Sequence, residues 1–176
     1  MKLQTLVATL ALILSNAPAR AEVIDSAAGG FTVKISVIIK ATPHDVYARV
    51  LHPSDWWASS HTFSGDAHNL TMDTGAAACF CEKLPNGGSV RHMDLVFIDP
   101  DKMLVLRGGL GPLQRIAANA SMTMALTGVP EGTRLDVTFA AAGYHPQGMN
   151  SLAAPVDQVL SLQIGRLKSS FDTPAK

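Results

Sequence analysis

From Phe31 to Lys40 the chain alternates. Val33, Ile35, Val37 and Ile39 are separated by Lys34, Ser36 and Ile38, with Lys40 following. A period of two places the first set on one face of a β-strand, toward a core. Thr42-Pro43-His44-Asp45 then reads as a helix start. Thr42 can cap, Pro43 fits the first helical position, and Asp45 suits the positive end of the helix dipole. Val46, Tyr47, Val50 and Leu51 supply its buried stripe, and Pro53 ends it. Ser54-Asp55 opens a second short turn that presents Trp56 and Trp57.

The middle of the chain reads as a meander. Pro85-Asn86-Gly87-Gly88, Asp99-Pro100-Asp101 and Val129-Pro130-Glu131-Gly132 are turn clusters at hairpin spacing. Strands are expected between them, over 75–84, 89–98, 102–107, 118–127 and 133–142. Met122, Met124 and Leu126 alternate with Ser121, Thr123 and Ala125, and Leu135, Val137 and Phe139 alternate with Arg134, Asp136 and Thr138. Such strands have one wet face and one apolar face, as in an antiparallel sheet covered on one side.

The period changes near the end. At about 100° per residue, Val156, Val159, Leu160, Ile164, Leu167 and Phe171 fall on one stripe of a helix starting near Ser151 or Pro155. Gln163 falls inside that stripe. The stripe must be buried, and the sheet's inner face is the apolar surface on offer. The fold class is therefore α+β. A curved antiparallel sheet of about six to seven strands, with two short helices after the first strand, wraps a long C-terminal helix and leaves a cup.

The first residues look like an address. Lys2 gives a positive start, Leu6 to Leu14 is apolar except for Thr9, and Ala19-Arg20-Ala21 is a small-x-small cleavage site. Residues 1–21 are expected to be a signal peptide, 22–30 a flexible lead-in and 31–173 one domain, in a periplasmic or secreted protein. The apolar run is far shorter than the roughly 20 residues of a membrane span, so no stable membrane insertion is expected. Loss of Lys2 and Arg20 with the leader leaves 12 basic against 14 acidic residues. Scattered, nearly balanced charge argues against nucleic acid as a partner.

Several local signatures resemble one family. They are the opening strand with Thr42-Pro43-His44-Asp45-Val46-Tyr47, Gly75 with Phe80-x-Glu82, Val96-x-x-x-Pro100 before Leu104, Gly132-Thr133-x-Leu135, and Leu167-Lys168. Over most of Phe31 to Phe171 the chain resembles the START-like, or SRPBCC, superfamily, near the branch related to heat-shock ATPase activators. The resemblance implies a helix-grip fold with a cavity between sheet and long helix. It implies no single activity, since members range from lipid and hormone binders to polyketide cyclases and chaperone activators. An export signal departs from the cytosolic activators and argues against a role on a cytosolic chaperone.

Candidate chemistry is sparse. Cys79-Phe80-Cys81 puts two sulfurs on one strand face, where a straight strand disfavours a bridge across one residue. The pair is expected to remain two free thiols in the cavity wall, with redox use or binding of a soft metal ion such as Cu(I) as the alternative. No His spacing suits a metal, and no cofactor motif is present. His92 and Asp94 are i, i+2 partners on one face. If Met93, Leu95 and Phe97 face the core, both face water; if Val90, Val96 and Ile98 do, both face the cavity. Glu82 alternates with Cys81, so Glu82 and the cysteines cannot both point inward in a regular strand. Glu82, His92 and Asp94 are the candidate acid–base groups. Trp56, Trp57, Cys79, Cys81, Met122, Met124, Phe139, Leu160, Gln163 and Leu167 are the candidate ligand-binding residues. The buried amide of Gln163 needs a partner, which can be ligand, water or strand backbone.

The leading expectation is binding of a small apolar or amphipathic molecule. A cyclase or lyase using Glu82 or His92 is the alternative, and an interaction module with a filled core is a third. An open apolar pocket, a pocket with converging polar groups, or a sealed interior separates the three.

Overall fold

The structure is a computed structural model and describes residues 21–75 and 77–172. Eight antiparallel strands form one sheet: β1 (Ala21–Ala27), β2 (Gly30–Ile39), β3 (Leu70–Asp73), β4 (Cys79–Lys83), β5 (Ser89–Asp99), β6 (Met103–Gly108), β7 (Ala117–Val129) and β8 (Gly132–Tyr144). Their order across the sheet is β1-β2-β8-β7-β6-β5-β4-β3. The chain thus enters at one edge, crosses through β2 beside β8, and fills the sheet backward from the far edge.

The alternation of β2 produces what it predicts. Val33, Ile35, Val37 and Ile39 are buried, while Lys34, Ser36 and Ile38 point to water. Helix α1 (Pro43–Val50) begins where Thr42 accepts the Asp45 N–H at 3.2 Å, with Pro43 in the first turn and Val46 and Val50 buried. A single 3₁₀ turn, Pro53–Asp55, follows and delivers the Trp pair. Helix α2 (Ala153–Ser169) closes the chain across β1 and β2, burying Leu160, Ile164 and Leu167 on the sheet.

Two strands, β1 and β3, lie outside the expected spans. Residues 22–27 are not a flexible lead-in. They continue β1, held to β2 by a ladder running from Ala21↔Ile35 to Ala27↔Gly30. Residues 22–29 are exposed along their whole length, so no core-facing alternation marks the strand. β3 has only four residues, of which Leu70 and Met72 face inward, too short a run for a period to stand out. It covers β4, which is itself confined to five residues of the expected 75–84 span. The expected leader, residues 1–20, lies outside the described residues.

β5 carries two irregularities that set up the site. Phe80 pairs with Met93 and Cys81 with Arg91, so His92 is an extra residue opposite a continuous β4. Leu95 pairs with Leu106 and Phe97 with Val105, so Val96 is a second extra residue, opposite β6. Each is a β-bulge, which inserts one residue and re-aims the side chains beside it.

Candidate functional site

The bulge at His92 decides what faces the interior. Two consecutive residues, His92 and Met93, are both buried, whereas Asp94 turns outward and pairs with Arg91. His92 and Asp94 therefore do not share a face, and neither regular strand phase applies. Asp94 is removed from the candidate site for that reason. β6 has to accommodate the bulge, and Gly108 does so. Its φ is +146°, and a Cβ there would stand 2.8 Å from the His92 carbonyl oxygen. A glycine where two backbones approach this closely is a sequence trace of a bulge.

Directly across the sheet, Phe80 and Glu82 point inward from β4 and the cysteines outward. Glu82 is almost fully buried, and three donors satisfy it. The Phe63 N–H reaches Oε2 at 3.1 Å, the Ser64 N–H reaches Oε1, and His92 Nε2 lies 3.0 Å from Oε2. Burial pushes the Glu82 carboxyl up, but the hydrogen bonds from Ser64, Phe63 and His92 outweigh it and hold the group below the usual carboxylate range. Burial lowers His92 below its ordinary value despite the pull of Glu82. At neutral pH the pair is thus a carboxylate facing a neutral imidazole. An ionised carboxylate only accepts, so the imidazole proton sits on Nε2 and Nδ1 carries the free lone pair. The N–H of Gly111 approaches Nδ1 at 3.4 Å, a long contact.

Aromatic rings enclose the pair. Phe63 stacks on His92 with planes 7° apart and centroids 5.9 Å apart, and Phe80 lies against the imidazole at 5.1 Å. Trp57 packs edge-on against Phe80 at 5.2 Å, and Arg115 lies over the Phe63 ring at 5.1 Å.

Beside these rings is a pocket of about 350 Å³ between sheet and α2. Its wall is mainly apolar: Trp57, Phe80, Phe139, Leu113, Val156 and Leu160 among others. Ser60, His61 and Thr62 from the loop after Trp57, together with His92 and Gly111, bring polar groups to the lining. Among the described residues, no three His, Cys, Asp or Glu side chains gather where they could hold a metal ion.

Of the expected ligand-binding residues, Trp57, Phe139 and Leu160 line this pocket, and the others do not. Trp56 is buried behind Trp57, its indole N–H donated to the Arg49 carbonyl at 3.1 Å. Met122, Met124 and Leu167 face inward but pack into closed core. Gln163 is fully buried, as the helical projection requires, but it faces chain rather than pocket. Its Oε1 accepts the Ala58 N–H at 2.8 Å and its Nε2 donates to His61 Nδ1 at 2.8 Å. With Arg166, which donates to the Trp56 carbonyl, it ties α2 to the Trp loop.

Cys79 and Cys81 are corrected twice. They face the outer side of the sheet, and they are joined to each other. The expectation of free thiols assumed a straight strand, in which residues i and i+2 stand about 6.6 Å apart. In β4, opposite the His92 bulge, the two Cα atoms are 5.5 Å apart, closer than a straight strand sets them. That lies within the range a disulfide spans.

Sequence reasoning missed Phe63, Gly111 and Leu113, which sit in irregular loops without periodicity. No protein-family model and no curated protein matches the chain. Solved structures do match it. An uncharacterized protein from Rhizobium leguminosarum is 17% identical, with a TM-score of 0.61 over 89% of this chain and 99% of that one. A protein from Mesorhizobium loti is 15% identical, with a TM-score of 0.57 over 82% and 99%. DynU16, a protein in the dynemicin biosynthetic locus, is 21% identical, with a TM-score of 0.56 over 81% of this chain and 47% of that one. The chain has a helix-grip-like topology, an antiparallel sheet with a long C-terminal helix packed on it. At these identities the likeness is one of architecture, and function has to be argued from the pocket.

Proposed function

We propose that this is an exported protein that binds a small apolar or amphipathic molecule between its sheet and α2. The observation that carries the reading is the pocket of about 350 Å³. Its size is at the small end of the range for ligand sites, and its wall has the usual make-up of apolar rings with a few placed polar groups. A filled core of the interaction-module kind would have no such space. The export half rests on the leader-like pattern of residues 1–21. An exported chain near the activator-like branch would work on a ligand, not on a cytosolic chaperone.

A second reading is favoured by one observation, the buried Glu82–His92 pair at 3.0 Å, of which His92 lines the pocket. A carboxylate that orients a neutral imidazole is the arrangement of a general base. In a cyclase or lyase, His92 Nδ1 would take the proton and Glu82 would be its positioning residue.

Native mass spectrometry of protein purified from the periplasm tests the leading reading. A retained small molecule released on denaturation supports it. N-terminal sequencing should begin at Glu22, and an intact Met1 end in the cytosol would overturn the exported assignment.

A further inference from the structure

We propose that the ligand is a neutral aromatic alcohol of the phenol or naphthol class, with its hydroxyl seated between His92 Nδ1 and the Gly111 N–H. This deepens the binding reading above and rests on it.

The polar groups around the pocket define what is missing. Glu82 does not line the pocket, and its oxygens already accept from Phe63, Ser64 and His92. That arrangement fixes the imidazole proton on Nε2 and leaves Nδ1 as an acceptor. The present partner of Nδ1 is the Gly111 N–H at 3.4 Å, and both residues line the pocket. A lone pair and an N–H facing each other at that separation are each poorly satisfied. A hydroxyl standing beside them donates to Nδ1 and accepts from Gly111 at once. An ether or ketone oxygen can use only the Gly111 N–H, and a carboxylate would set its lone pairs against that of Nδ1, close to the charge on Glu82. A phenolic hydroxyl is a better donor than an aliphatic one, and an imidazole backed by a carboxylate is a strengthened acceptor.

The apolar wall selects the rest of the molecule. Trp57, Phe63, Phe80 and Phe139 present four aromatic side chains to a space of about 350 Å³, which accommodates two fused rings. Aromatic surfaces favour offset or edge-on contact with another flat ring.

The test uses three probes of nearly equal shape: 2-naphthol, 2-methoxynaphthalene and naphthalene. Titrations at neutral pH follow tryptophan fluorescence of the wild-type protein. We expect 2-naphthol to bind about tenfold more tightly than its methyl ether, the scale of one added hydrogen bond. In His92→Phe that preference should vanish while the ether still binds. Should that variant fail to fold, nitrogen NMR of wild-type His92 gives the same answer. Its Nδ1 resonance should move on addition of 2-naphthol and stay in place with naphthalene. Equal affinity of 2-naphthol and its ether, or an unmoved Nδ1 resonance with 2-naphthol bound, overturns the hydroxyl assignment and leaves the binding reading intact. Failure of all three probes to bind counts against the binding reading itself, and this assignment falls with it.

Discussion

Glu82 and His92 come from adjacent strands and meet at 3.0 Å, with less than a twentieth of either residue exposed to water. Both are held below their ordinary pKa values, Glu82 by its hydrogen bonds against burial and His92 by burial. The signs agree. A group whose folded pKa is depressed stabilises the fold above its unfolded pKa, and that stability is lost as pH falls through the folded value. The protein should therefore lose stability on acidification, first as pH drops below about 6.5, the His reference, and again below about 4.3, the Glu reference. Denaturant melts between pH 8 and pH 2.5 check this. His92→Phe should flatten the upper part of the decline, and an unchanged slope there would count against the neutral imidazole.

Gln163 is predicted to govern stability more than ligand affinity. Gln163→Leu leaves the Ala58 N–H without its acceptor and His61 Nδ1 without its donor. A buried unsatisfied donor costs about 1–3 kcal/mol. The melting temperature should fall by several degrees, at about 2–4 °C per kcal/mol for a domain of this size. Affinity for a naphthalene probe should change little, because Gln163 is not part of the pocket wall. A large affinity loss with an unchanged melt would reverse that assignment.

Gly108 should be close to irreplaceable. Gly108→Ala sets a methyl group against the His92 carbonyl and Met93 Cα while demanding a φ of +146°. A conformation of that kind costs of order 1–3 kcal/mol before the clash is counted. Urea unfolding should show the loss. The variant should also disturb the His92 imidazole resonances, which a remote alanine substitution would leave alone.

Much of the architecture could be read from hydrophobic period alone, because β2, β7, β8 and α2 bury one face over ten residues or more. The site could not be. Period-two reasoning assumes that each residue flips the face, and His92 is the place where β5 breaks that assumption. The reading of the cysteines failed on a like assumption, that β4 is a straight strand, whereas their Cα atoms stand 5.5 Å apart. Gly108, followed by a second glycine at the end of a strand, was the available signal. Phe63 and Gly111 left no comparable trace, since their positions follow from hydrogen bonds to Glu82 and His92 that only the folded chain brings together.

The Cys79–Cys81 bridge should be visible in the intact mass, which should lie two hydrogens below the reduced value and rise on treatment with a thiol reductant. A ring this small removes little freedom from the unfolded chain, about 1–2 kcal/mol by the loop-closure relation. The Cys79→Ser/Cys81→Ser variant should therefore fold and melt slightly earlier. Its clearer effect should fall on Phe80, which stands between the two cysteines and packs on Trp57 and His92. A probe seated against Phe80 should bind more weakly in that variant.

The two extra residues of β5 cancel each other. The insertion at His92 turns Met93 and Leu95 inward, and the insertion at Val96 leaves Val96 and Phe97 together on the outside, so that Ile98 packs against the core in the phase set by Val90. Because each is an unpaired insertion, deleting His92 alone, or Val96 alone, would leave every remaining residue on its present partner and face. Deleting His92 would return that stretch to a regular ladder and preserve the sheet, at the cost of the imidazole. Among descendants of this chain, gaps at these two positions should therefore occur independently of each other, and a lineage that loses His92 keeps the container without the group that faces its contents.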